Sequence, residues 1–174
     1  RINFRGQVID VDNFLVVTAV GTDRPGIVNE LTKIVTQTNC NIVDSRLAVF
    51  GNEFTLILLL SGDWNAITRF ETDLSVRSAQ LELITFMKRT SEHKLVSYEG
   101  QVSVKLDGKD APGCIGQFTE YLATKNIDLC SFRTKAKSGY QRIEMLINLT
   151  NNTDFIQLQQ HFDKLAEQLS LTIR

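Results

Sequence analysis

Two short stretches hold the residues best suited to chemistry, Asp23-Arg24-Pro25-Gly26 and Asp110-Ala111-Pro112-Gly113. Each reads Asp-x-Pro-Gly, and between them they hold both prolines of the chain. Each follows an apolar, β-branched run and opens a helically spaced apolar pattern, which places it at a strand-to-helix turn. On a structural reading, Asp23 and Asp110 N-cap the helices, and the prolines occupy a first turn that has no use for their missing N–H. Gly26 and Gly113 then remove a side chain where helix start and strand end cross. On a functional reading the same turn is an anion site. A helix N-terminus offers free N–H groups and the positive end of a dipole, and a glycine lets a carboxylate approach. A free amino acid also needs acceptors for its ammonium group, and Asn41, Asp44 and Asp23 are candidates if the second strand starts nearby.

Catalytic chemistry finds no foothold. The two histidines, His93 and His161, make no zinc-spaced set with cysteine. There is no nucleophile elbow, dinucleotide fingerprint or phosphate loop. No catalytic residue, metal ligand set or cofactor is therefore assigned. Cys114 opens a helix, where a thiolate is stabilised, but a small buried residue is the simpler expectation. His161 reads as a half-exposed helix residue and Trp64 as a core or interface anchor. The cysteines Cys40, Cys114 and Cys130 are odd in number and widely spaced, which fits reduced thiols in the cytoplasm.

The elements that position the two turns repeat. Pro25 and Pro112 stand 87 positions apart (112 − 25), and alignment on that offset pairs the segments throughout. The upstream strands are FLVVTAV and QVSVKLD, and the helices PGIVNELTKIVTQTN and PGCIGQFTEYLATKN. Then come NIVDSRLAVF and NIDLCSFRTKA, each beginning Asn-Ile, glycine-containing turns, and the strands FTLILLLSG and QRIEMLINLT. A second helix and a last strand complete each half. The expectation is α+β: two tandem ferredoxin-like βαββαβ domains, each a four-stranded antiparallel sheet with two helices on one face. Domain 1 spans 13–90, a polar linker 91–99, and domain 2 100–174. No function is assigned to residues 1–12.

Charge and face patterns narrow the function. Net charge is −1 over 174 residues, and Lys plus Arg balance Asp plus Glu within each half, so neither half is basic enough to grip nucleic acid by counterion release. The central strands read LILLL and IEMLI, without the exposed aromatics an RNA-recognition sheet needs. No apolar run is long enough to span a membrane, and residues 1–10 lack a signal-peptide core. FTLILLLS is apolar on both faces, whereas QRIEMLINLT alternates, with Ile143, Met145, Ile147 and Leu149 against Arg142, Glu144 and Asn148. The open face of the first sheet is thus expected to be covered, by the other half or by another subunit.

The segments DRPGIVNELTKIV, NCNIVDSRLAVFGNEFTLILLLSGDWNAI and MKRT resemble an ACT domain, and the doubled arrangement resembles tandem ACT-domain transcriptional regulators. The likeness is strong over 14–91 and weaker over 100–174. It implies a non-enzymatic regulatory protein of the bacterial cytoplasm, working with a separate DNA-binding activator of the glycine cleavage operon, with glycine as the signal. The balanced charge points to no direct contact with nucleic acid, and the apolar open face and exposed edge strands point to a homodimer or larger assembly. The resemblance also implies ligand binding near the loop after the first strand and the start of the second, by Asp23, Arg24, Gly26, Ile27, Asn41, Ile42 and Asp44. The second half matches in part, through Asp110, Gly113, Cys114, Asn126 and Ile127, with Ala111 in place of the arginine. An alternative within the resemblance is the ACT regulatory region of an enzyme such as formyltetrahydrofolate deformylase or phosphoserine phosphatase.

Overall fold

A computed structural model describes residues 12–91 and 100–174. His93 and most of the expected linker lie outside the described residues, as do residues 1–11. The chain divides into two compact units, residues 1–94 and 95–174. Unit 1 runs β1 (Asn13–Thr22), α1 (Ile27–Gln37), β2 (Asn41–Phe50), β3 (Glu53–Gly62), α2 (Trp64–Arg77) and β4 (Ile84–Thr90). Unit 2 runs β5 (Gly100–Lys109), α3 (Cys114–Thr124), β6 (Asp128–Lys137), β7 (Tyr140–Leu149), α4 (Phe155–Gln168) and β8 (Leu171–Ile173). Both sheets are fully antiparallel, ordered β2-β3-β1-β4 and β6-β7-β5-β8. This is the ferredoxin-like βαββαβ topology, twice.

The 87-residue offset holds residue for residue through the first four elements of each unit. Both β2 and β6 carry a bulge at the matching place, between Ile42 and Asp44 and between Leu129 and Ser131. Each unit has its own core. In unit 1, Leu15, Val17 and Ala19 of β1 and Phe54, Leu56, Leu58 and Leu60 of β3 meet Ile27, Leu31, Ile34 and Val35 of α1 and Ile67, Phe70 and Leu74 of α2. In unit 2, Leu106, Ile143, Met145 and Ile147 meet Phe118, Leu122, Leu158 and Phe162. The i, i+4, i+7 spacing of the helices and the alternation of the strands aim these residues at one layer between sheet and helices.

The helix starts differ from expectation. Asp23 and Asp110 do not cap α1 and α3. The N-cap residues are Gly26 and Gly113, at φ 85° and 79°, and neither helix has a side-chain cap. The prolines therefore lie in the turn before the cap, not in the first helical turn. The glycines are there for their left-handed backbone, since a Cβ at either would meet nothing within 4 Å. The close approach expected of them falls instead at Gly21 and Gly108, where a Cβ would stand 2.7 Å from Leu83 Cδ2 and 2.6 Å from Leu171 Cδ2. The second helix of each unit is capped by a side chain, with Asp63 accepting from Ala66 N–H at 2.7 Å and Asp154 from Gln157 N–H at 3.0 Å. Asp63→Ala and Asp154→Ala are expected to cost about 1 kcal/mol each. Asp23→Ala and Asp110→Ala should stay within about 0.5 kcal/mol. Urea denaturation of the four variants measures the contrast.

Candidate functional site

Asp23 and Asp110 tie the Asp-x-Pro-Gly loops to the rest of the sheet through their backbones. Asp23 N–H donates to Asn52 O at 2.9 Å and Asp110 N–H to Gly139 O at 2.8 Å, so each loop is fastened to the adjacent hairpin. Their side chains, with that of Arg24, are exposed. Ile27 and Cys114 are buried, so only their backbones can reach a ligand. Ile27 N–H donates to Arg24 O at 3.4 Å, and with no side chain capping α1 the Val28 and Asn29 N–H groups are left to meet an anion.

Asn41, Ile42 and Asp44 begin β2, at the other end of the sheet. The register shows this: Asn41 pairs with Ser61 and Ser61 with Phe14, whereas the far end of β2, Phe50, pairs with Glu53 and Glu53 with Thr22. β1 and β2 therefore run parallel, and the β1–α1 loop lies roughly 20–30 Å from the start of β2 at strand rise. One unit does not bring the two groups of candidates together around a molecule the size of an amino acid. Asp44 lines a depression of about 180 Å³ on the open sheet face with Arg46, Val16, Ile57, Leu59 and Thr90. Its Oδ1 also accepts from Ser45 N–H at 2.8 Å.

In unit 2 the Asn-Ile equivalence dissolves. Asn126 stands at φ 52° and matches Asn39 at φ 62°, each the left-handed residue that ends a helix. Asn41 instead matches Asp128, which opens β6, and Asp44 matches Ser131. Asp128 Oδ2 accepts from Asn148 Nδ2 at 2.7 Å, and Asn148 Oδ1 accepts from Gln101 Nε2 at 2.8 Å. The second set of candidates thus lacks both the arginine and the β2-type aspartate.

The other singled-out residues find structural roles. Burial raises the Cys40 thiol pKa, Cys114 is also buried, and Cys130 is exposed. His161 is half-buried and stacks on Tyr121 at 3.7 Å between ring centroids. Trp64 is 62% exposed rather than a core anchor, with the Arg89 guanidinium 4.0 Å from its ring centroid. One groove of about 290 Å³ in unit 2, lined by Val102, Val104, Phe155, Leu158, Phe162 and Ile173, has no motif in the sequence to mark it. It lies between β5, α4 and β8. Among the described residues no cluster of three or more metal-binding side chains occurs, and no helix is long and apolar enough to cross a membrane.

A doubled βαββαβ unit, with an uncapped helix after β1 and a bulge near the start of β2, is the architecture of a tandem ACT-domain protein, and similarity to known proteins places the chain in that class. Residues 13–88 match the family model of the ACT domain. The chain is 38% identical to the glycine cleavage system transcriptional repressor of Escherichia coli K12, over 94% of this chain and 90% of that one. A solved structure of a protein assigned as a glycine cleavage system transcriptional repressor is 40% identical, with a TM-score of 0.74 over 94% of this chain and 96% of that one. The fold recurs in an unknown protein from Galdieria sulphuraria at 19% identity, with a TM-score of 0.73 over 94% of this chain and 97% of that one. The chain belongs to the family of glycine cleavage system transcriptional repressors, whose members are regulatory and not catalytic.

Proposed function

We propose that the chain is an amino-acid-responsive regulator of glycine cleavage transcription, that it works in the cytoplasm, and that it acts by contact with a DNA-binding activator. The observation that carries this reading is the kinship with the Escherichia coli repressor along nearly the whole of both chains. Glycine, or a close small amino acid, is the proposed signal.

The ligand site is proposed to be composite. β2 is an edge strand with both faces open, and Ile42, Val43, Leu47 and Val49 are 43–54% exposed. The open face beside it carries Ile57 and Phe86, also exposed. Such an edge invites pairing with a second copy. If two β2 strands pair antiparallel about a two-fold axis, the start of one lies beside the end of the other. The end of β2 adjoins Asn52 and so the Asp23 loop. The loop of one copy then meets Asn41 and Asp44 of its partner. Arg24 and the α1 N–H groups would hold the carboxylate, and Asp44 and Asn41 the ammonium. Ligand would favour this assembly by its differential affinity, and the activator would read the assembly.

Direct DNA reading has no fitting element among the described helices. The only basic residue of α1 is Lys33, and that of α4 is Lys164. In a gel shift on a glycine cleavage promoter, the purified chain is expected to give only weak, sequence-independent binding. It should alter the complex formed by an added DNA-binding activator. A sequence-specific shift by the chain alone, at submicromolar protein and steeply weakened by salt, overturns the reading.

A further inference from the structure

The near-zero charge of unit 2 conceals two opposed faces. Strand register brings Lys105 of β5, Arg133, Lys135 and Lys137 of β6 and Arg142 of β7 onto the sheet face away from the helices, and Arg174 joins them after β8. The carboxylates there are Asp107, Asp128 and Glu144. Asp107 is already engaged, with Oδ1 2.6 Å from Arg142 Nε and Oδ2 3.6 Å from an Arg174 nitrogen. Lys105, Arg133, Lys135 and Lys137 have no ion pair among the described residues, and all four are exposed. The helical side is the reverse: Glu120, Asp154, Asp163 and Glu167 outweigh Lys125 and Lys164. Unit 1 has no such cluster: the positions matching Lys105, Arg133, Lys135, Lys137 and Arg142 are Thr18, Arg46, Ala48, Phe50 and Thr55, with one basic residue among the five.

Lysines on an edge strand commonly serve to block unwanted strand pairing. That role accounts for Lys135 and Lys137. It does not account for Arg142 on β7 or Lys105 on β5, which are the two interior strands. A depression of about 520 Å³ runs across these strands, lined by Lys135, Lys137, Tyr140, Arg142 and Arg174.

We infer that the open sheet face of unit 2 is a docking surface for an acidic polypeptide segment of a partner protein. Charge complementarity selects that occupant. A duplex is disfavoured because Asp107 on β5 and Glu144 on β7 lie inward of β6, so that phosphates spread over the whole face would meet them, whereas a single segment laid along β6 need not. A flat four-stranded face also does not enter a groove that admits one helix or a two-stranded ribbon. An acidic peptide laid along β6 can instead place carboxylates beside Lys135, Lys137 and Arg133. The inference deepens, and rests on, the proposal that the chain acts through protein contact. Its test uses a synthetic probe, so that its failure leaves the glycine response to be judged separately.

The probe is a fluorescein-labelled Glu-rich peptide, followed by anisotropy on the full chain at low and physiological salt. Lys135→Glu/Lys137→Glu is expected to weaken binding about tenfold. Lys125→Glu/Lys164→Glu, which changes net charge equally on the helical side, should change it by less than about twofold. Circular dichroism confirms that both variants fold, and a glycine melting shift unchanged in both separates this surface from the ligand site. Equal losses in the two variants, or no peptide binding by the parent chain at low salt, overturn the inference. So does tighter binding of a charge-matched duplex that the first variant abolishes, which would make the face a phosphate surface.

Discussion

Phe118→Ala is expected to lower the stability of unit 2 by about 3–5 kcal/mol, and Phe70→Ala to do the same to unit 1. Each ring is buried to within 1% and lies between a sheet and two helices, with Phe118 in edge contact with Phe162 at 5.0 Å between centroids. Removing either leaves a cavity that rigid strands cannot close. A domain of this size has only about 5–10 kcal/mol in total, so roughly half is lost. The two cores share no residue, and Trp64 is the only tryptophan, in unit 1. Tryptophan fluorescence in urea should therefore move to lower denaturant for Phe70→Ala and stay put for Phe118→Ala. Far-ultraviolet circular dichroism should register a loss in both. A tryptophan transition shifted equally by the two substitutions would show that the units unfold as one.

Mixing two inactive variants is expected to restore a glycine response that neither has alone. At a hundredfold excess over its dissociation constant, a native-state ligand adds about 2.7 kcal/mol, a melting shift of roughly 10–20 °C in a domain of this size, or roughly 5–10 °C if the whole chain melts as one. Arg24→Ala removes the proposed carboxylate partner at the loop, and Asp44→Ala the ammonium acceptor at the start of β2. If the site joins the loop of one copy to β2 of the other, each homodimer loses both of its sites. A mixed dimer carries both defects in one site and none in the other. The two proteins, unfolded and refolded together, should recover about half the bound glycine per chain in the mixed dimers, measured by calorimetry. No recovery, with mixed dimers verified by mass, rejects a site shared between copies. A full response in either single variant rejects that residue's role.

Local signals account for much of the fold. Two Asp-x-Pro-Gly turns, helical spacing after them and β-branched runs before them were enough to place both βαββαβ units. The offset between Pro25 and Pro112 carried through four successive elements, because strand and helix lengths are written in periodicity and turn residues. The helix caps were less legible. Asp23 and Asp63 both precede an apolar helical pattern, yet only Asp63 caps, since it stands directly before its helix in extended backbone whereas Gly26 holds the N-cap position of α1, three residues beyond Asp23. The shared Asn-Ile misled for a similar reason. Asn126 ends a helix and Asn41 begins a strand, and asparagine suits either place.

What the sequence determined by itself is the periodic part: which residues of one strand or helix share a side. The alternation in QRIEMLINLT already separated Ile143, Met145 and Ile147 from Arg142 and Glu144, and the structure buries the first group. Which strands become neighbours was decided only by the tertiary structure. Long-range pairing put β1 parallel to β2 and so parted Asp23 from Asp44, two residues that look like one site along the chain. The same pairing gathered Lys105, Lys135, Arg142 and Arg174 from four separate segments onto one face. Net charge is a sum and has no direction, whereas a sheet has two sides, and only strand register assigns each charge to one of them.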